Sequence, residues 1–244
     1  MNPSTRATAT FAAATVVALT GLLGTRYLAL GVSALIAVAA FGWPRLLRVY
    51  RRRVGSAIIA VSGAISVIAV GVGRGEPYLR YAVAAAGAAV LLSLAAEVFF
   101  PSPPGRAVSS ATGMMAGALV AVSAGAWVAA NRTPGATDLV VAGAAAIAVS
   151  GIAAVLTKKP TINAIISLVL GTLTGAGLGQ LFDSISWAGG SLVGVVGAAS
   201  VVVVTELTHR EPAPRHMLAA IASGITPVLS AGVLVYLSGR LLVG

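Results

Sequence analysis

A chain of 244 residues that is 58% hydrophobic and only 9% charged lacks the polar groups to cover a water-exposed surface, where roughly a quarter of residues are usually charged. Its net charge of +10 sits in short cationic runs between apolar stretches, a pattern that orients a chain in a bilayer and argues against nucleic acid as a partner. The absence of cysteine excludes disulfides, thiolate metal sites and cysteine nucleophiles.

A spanning helix needs about 17–25 mostly apolar residues. The first stretch, residues 8–24, follows one arginine and has no distinct small-residue cleavage pattern, so it reads as an uncleaved span. The second, 27–43, is separated from it only by Thr25 and Arg26, and a tight hairpin is the alternative for this pair. Further spans are predicted over 54–73, 81–100, 107–130, 139–157, 161–182, 187–205 and 217–238. The connections carry Pro and Gly where a helix must stop, as in "RGEP", "PSPPG", "NRTPG", "TKKP" and "EPAPR".

About nine spans place alternate connections on opposite faces. Arg6, Arg45, Arg48, Arg51, Arg52, Arg53, Arg106, Lys158, Lys159, Arg210 and Arg215 then share the N-terminal face, against Arg26, Arg74, Arg80, Arg132 and Arg240 on the other. This asymmetry places the N-terminus in the cytoplasm. The expected fold is all-α: a polytopic transmembrane bundle forming one integral domain over residues 1–244, in the plasma membrane. Membrane lipids surround it, and the arginine runs add an anionic-lipid contact.

Small residues at four-residue spacing let helix backbones approach closely in lipid. Gly171, Gly175 and Gly179 form such a stripe on the seventh span. Gly113, Gly117, Ala121 and Gly125 do so on the fifth, Ala142, Ala146, Ser150 and Ala154 on the sixth, and Gly190 and Gly194 on the eighth. The stripes read as tight packing or, alternatively, as the lining of a path; a homo-oligomer is also open.

No charge falls at a predicted midplane. The acids Glu76, Glu97, Asp138, Asp183, Glu206 and Glu211 all lie at or near span ends. Glu97 and Glu206 approach the cytoplasmic face, either as a shared cation or proton site or as carboxylates satisfied near Arg106 and Arg210. His209 and His216 lack zinc-helix spacing, and "GVGRG" lacks the strand–turn–helix context of a nucleotide loop. No cofactor is expected.

The last span carries "SGITPVLSAG" over residues 223–232. Pro227 has no amide to give the Ser223 carbonyl, and breaks of this kind survive in lipid where hydroxyls, neighbouring helices or water satisfy the backbone. Ser223, Thr226 and Ser230 supply hydroxyls, and Gly224 permits bending. Two readings follow: a broken helix at a substrate site, as in many transporters, or a structural kink.

This stretch resembles the proline-glycine motif of the threonine/serine exporter family, and the order of features over residues 142–243 is similar to that family's C-terminal membrane half. Serines stand at 223 and 230 where the family has prolines, and the extended cytoplasmic region that precedes the family's membrane part is missing. The resemblance implies an exporter or permease of a small polar solute such as an amino acid, with Gly224 and Pro227 in its motif. A second resemblance, "RRRVGSAII" and "TKKPTINAI" to phosphatidate cytidylyltransferases, lacks that family's acid-rich signature, so it implies a catalytically dead copy. The other alternative is a non-catalytic scaffold or accessory subunit.

Overall fold

The computed structural model describes residues 3–73, 75, 77–133, 137–182, 184–209 and 216–243. Arg74, Glu76, Asp183, Arg210, Glu211 and Arg215 therefore lie outside the described residues, as does the His209 side chain. Nine helices are formed among the described residues: α1 Pro3–Leu23, α2 Thr25–Leu46, α3 Arg52–Val72, α4 Ala82–Phe99, α5 Ala107–Arg132, α6 Thr137–Ala153, α7 Pro160–Leu181, α8 Trp187–His209 and α9 Met217–Val243. All but α6 are long and apolar enough to cross a membrane. The protein is a multi-pass helical bundle.

The α1–α2 connection is a single residue, Gly24, at φ 115°, a conformation that costs glycine nothing. The two helices are longer than the sequence suggests. Asn131, at the end of α5, holds this turn: its Oδ1 accepts from Thr25 Oγ1 at 2.9 Å and its Nδ2 donates to the Gly21 carbonyl at 3.3 Å. The sixth span is shorter than its apolar run. Its helix stops at Ala153, and Thr157 beyond it is tied to α7, donating from its backbone N and from Oγ1 to Asn163 Oδ1 at 2.8 and 2.7 Å, while Asn163 Nδ2 donates to the Thr157 carbonyl. Between Ala153 and Thr157 the chain tightens into turns, Val155 N donating to the Ile152 carbonyl at 3.2 Å and Leu156 N to Ala153 at 3.3 Å.

Contacts between helix ends sort the bundle into two faces. On one, Arg6 of α1 donates to Thr208 near the end of α8, Thr10 packs on Gly151 near the end of α6, Gly42 of α2 abuts the Leu218 carbonyl of α9, and Val49 after α2 packs on Gly113 of α5. On the opposite face, Arg132 of α5 donates to the Val70 carbonyl of α3, Ser184 donates to Asp138 of α6, and Gly239 of α9 meets Leu139 of α6. This is the pattern of nine alternating traversals, α6 included. Arg6, Arg45, Arg48, Arg51, Arg52, Arg53, Arg106, Lys158 and Lys159 belong to the first face, against Arg26, Arg80, Arg132 and Arg240 on the second. The first face carries most of the described cations, the asymmetry on which the positive-inside expectation rests.

Helices α5 and α9 form the centre, each with 72% of its span window buried, whereas α4 and α7 lie at the edge with 22% and 28%. Helix α9 packs against α1, α2, α5, α6 and α8. Because lipid offers no hydrophobic drive to association, such crossings rely on small residues, as where Gly125 of α5 meets Ser66 of α3.

Candidate functional site

Pro227 stands at the middle of the central helix, where residues 222–229 are all buried and Ser230 is half-buried. Of the two readings of this stretch, the broken helix does not form: α9 is continuous, with Pro227 inside it. Its own hydroxyls make short local bonds, Ser223 Oγ to the Ala220 carbonyl, Thr226 Oγ1 to Ala222 and Ser230 Oγ to Pro227.

Neighbouring helices anchor the proline turn instead. Thr10 Oγ1 of α1 donates to the Gly224 carbonyl at 2.6 Å, Trp127 Nε1 of α5 to Val228 at 2.7 Å, and Ser123 Oγ of α5 to Ser230 at 2.9 Å. Helical carbonyls have a second lone pair free for such bonds. A Cβ at Gly224 would lie 2.6 Å from both Ala9 Cβ and the Arg6 carbonyl oxygen, so α1 seats directly on this turn. Sequence reasoning missed Thr10, Ser123 and Trp127, whose partners are 101 to 214 residues away along the chain. One signal was present: a tryptophan in a helix of small apolar residues needs a partner for its N–H.

The α7 stripe is spent inside the chain. A Cβ at Gly175 would fall on the Gly190 carbonyl oxygen of α8 and lie 2.7 Å from Gly194 Cα; one at Gly179 would lie 2.7 Å from the Ser186 carbonyl oxygen. Gly171 faces Ser150 of α6 and Ala198 of α8.

The two carboxylates are held apart. Glu97 ends α4, which packs on α3 and α5, whereas Glu206 is on α8, which packs on α6, α7 and α9. Glu97 ties down the loop that follows its helix, accepting from the Ser102 backbone N at 3.1 Å and Ser102 Oγ at 3.0 Å. Glu97→Ala should therefore lower thermal stability by about 1 kcal/mol, read as a shifted melting midpoint in detergent.

Glu206 instead lines a small cleft of about 10 Å³, room for about one water molecule, on the basic face, together with Ala154, Pro160, Asn163, Ala164, Ser167, Val202 and Thr205. Its carboxylate makes no hydrogen bond or ion pair among the described residues. Ser150 and Ser167 close the inner end with reciprocal bonds, each Oγ donating to the other's carbonyl at 3.0 Å. Beyond them Gly171 leaves no room between α6 and α8. The cleft is thus a small indentation of mixed polar and apolar lining, closed at its inner end by the packed serines.

No protein-family model, curated protein or solved structure matches this chain.

Among the described residues no group of three or more His, Asp or Glu side chains converges in a metal-binding arrangement. The local chemistry available is that of hydroxyls, an amide and one carboxylate, groups that bind and orient a polar or cationic species.

Proposed function

We propose that the protein is a transporter for a small polar solute, an exporter or permease, with its cytoplasmic entry at the Glu206 cleft. The observation that carries this reading is the cleft itself: a carboxylate without a described partner, set beside Asn163, Ser167 and Thr205 in an otherwise apolar bundle. Ionisable residues within membrane helices commonly mark solute or ion paths. A carboxylate with hydroxyl neighbours suits a solute bearing an amine, so an amino acid fits, in keeping with the exporter-like order of features over residues 142–243.

In this reading the α9 turn around Pro227 is the moving part rather than the solute contact. The missing amide at 227 makes bending there less costly than elsewhere in the helix. Ser223, Gly224, Thr226, Pro227 and Ser230 then govern access between the two faces, and the bonds from Thr10, Ser123 and Trp127 hold one of its states.

The scaffold alternative gains little, because the glycine face it would offer to a partner is occupied by the chain's own α8.

The test is uptake by proteoliposomes across a panel of amino acids and small metabolites. A transported solute should emerge, and Glu206→Gln should reduce its flux by about tenfold or more through loss of one charged contact, with folding intact. Absence of flux for every solute would remove the transport reading. Undiminished flux in Glu206→Gln would remove the cleft from the path.

A further inference from the structure

The α2–α3 connection presents an unusual concentration of positive charge. Arg48, Arg51, Arg52 and Arg53 are exposed, and Arg106, from the start of α5, joins them. The Arg106 Nη2 donates to the Arg48 carbonyl at 2.9 Å. Its Cζ lies 6.0 Å from the centre of the Tyr50 ring, and that of Arg51 lies 5.5 Å from it. Half-buried Arg45 donates to the Phe41 carbonyl. None of the six is paired with a carboxylate among the described residues.

The platform beneath these arginines is firm. Val49 is 2% exposed and is wedged between Gly55 of α3 and Gly113 of α5, where added Cβ atoms would lie 3.4 and 3.1 Å from it. Trp43 Nε1 donates to the Gly113 carbonyl at 2.9 Å. Arg48 adopts φ 53°, which turns the chain sharply between the buried Trp43 and Val49. Two helices also begin here, α3 at Arg52 and α5 at Ala107, and neither has a side-chain cap or an acid in its first turn. Cations at a helix N-terminus work against its dipole. Like charges and two positive helix ends are thus gathered on one rigid surface, with no carboxylate paired to them among the described residues.

We propose that this surface binds the headgroups of anionic bilayer phospholipids, with lipid phosphates as the missing counter-charge. Guanidinium forks bind phosphate in two-point geometry, and juxtamembrane clusters of four to eight Arg or Lys attract anionic lipid. Tyr50, 47% exposed, sits between two of the guanidinium groups, where its ring keeps them spread along the interface. A lipid is favoured over a soluble anion because the cluster lies at the ends of α2, α3 and α5, where the bundle meets the headgroup layer.

The test uses the full chain in mixed micelles containing equal amounts of phosphatidylglycerol and phosphatidylcholine, with retained lipids counted by native mass spectrometry. Wild-type protein should keep phosphatidylglycerol in preference, and the preference should fade at high salt. The triple variant Arg51→Gln, Arg52→Gln, Arg53→Gln should lose at least about tenfold in relative retention. Arg26→Gln, on the opposite face, should retain it. Equal retention of the two lipids by wild-type protein would overturn the proposal whether or not the triple variant folds. So would a salt-insensitive preference, or an unchanged preference in a folded triple variant. Displacement of the lipid by millimolar inorganic phosphate would assign the surface to a free anion and overturn it too.

Discussion

Gly175→Leu should abolish the α7–α8 pairing and with it recovery of folded protein from the membrane. A side chain here has nowhere to go. The Gly190 carbonyl oxygen, Gly194 Cα and the Gly194 amide nitrogen all crowd the position a Cβ would take, and these are backbone atoms that cannot rotate away. Overpacking of even a well-placed core commonly costs about 1–3 kcal/mol, and four added carbons against backbone exceed what a shift of one helix can absorb. Even Gly175→Ala should lower the melting midpoint. The internal comparison is Gly177→Ala, on the same helix, where nothing lies within 4 Å of the new methyl. That variant should be neutral or gain up to about 1 kcal/mol from reduced chain entropy. Thermal unfolding in one detergent, with both variants side by side, separates a packing effect from any general intolerance of α7. Equal stability of Gly175→Leu and wild-type protein would mean that α7 and α8 do not meet through these glycines.

The stripe shows what local sequence can and cannot carry. Gly171, Gly175 and Gly179 announce a face that approaches another backbone, because four-residue spacing of small residues has few other uses in lipid. They do not name the partner. Gly190 and Gly194 on the next helix were the matching clue, since a turn as short as residues 182–186 makes α7 and α8 antiparallel neighbours and brings the two patches opposite each other. The number of helices and their order were legible for a similar reason: apolar length and Pro/Gly punctuation are local properties. The end of α6 was not, because its apolar run continues past Ala153 while the backbone tightens into turns at Val155 and Leu156.

The site was less legible than the fold. Hydropathy marks Pro227 as an anomaly, but whether the helix breaks depends on groups supplied by α1 and α5. A threonine at position 10 and a serine at 123 are ordinary residues until the bundle places them beside α9. Glu97 and Glu206 looked alike in sequence, each an acid near a span end. Ser102, five residues on, satisfies the first, whereas the second faces a cleft between α7 and α8 beside Ala154. A contact five residues along the chain can be guessed from spacing; a cleft cannot.

Trp127→Ala should cost roughly 3–5 kcal/mol, the range for removing a large aromatic side chain from a packed interior. Trp127 is fully buried, its ring lies against Gly232, and its Nε1 holds the Val228 carbonyl. Trp127→Phe keeps much of the volume and loses the donor, so a smaller loss of about 1 kcal/mol is expected. The graded pair distinguishes packing from hydrogen bonding at the proline turn. Pro227→Ala acts in the opposite sense. It returns an amide to position 227 within reach of the Ser223 carbonyl, in a helix that is already continuous, so stability should hold or rise. If the turn is the moving part of a transporter, the same substitution should slow flux while the protein becomes no less stable. Falling flux without falling stability is what a hinge predicts, whereas a proline that merely fills space would lose both or neither. Stability from thermal unfolding and flux from proteoliposomes, measured on the same preparation, decide between them.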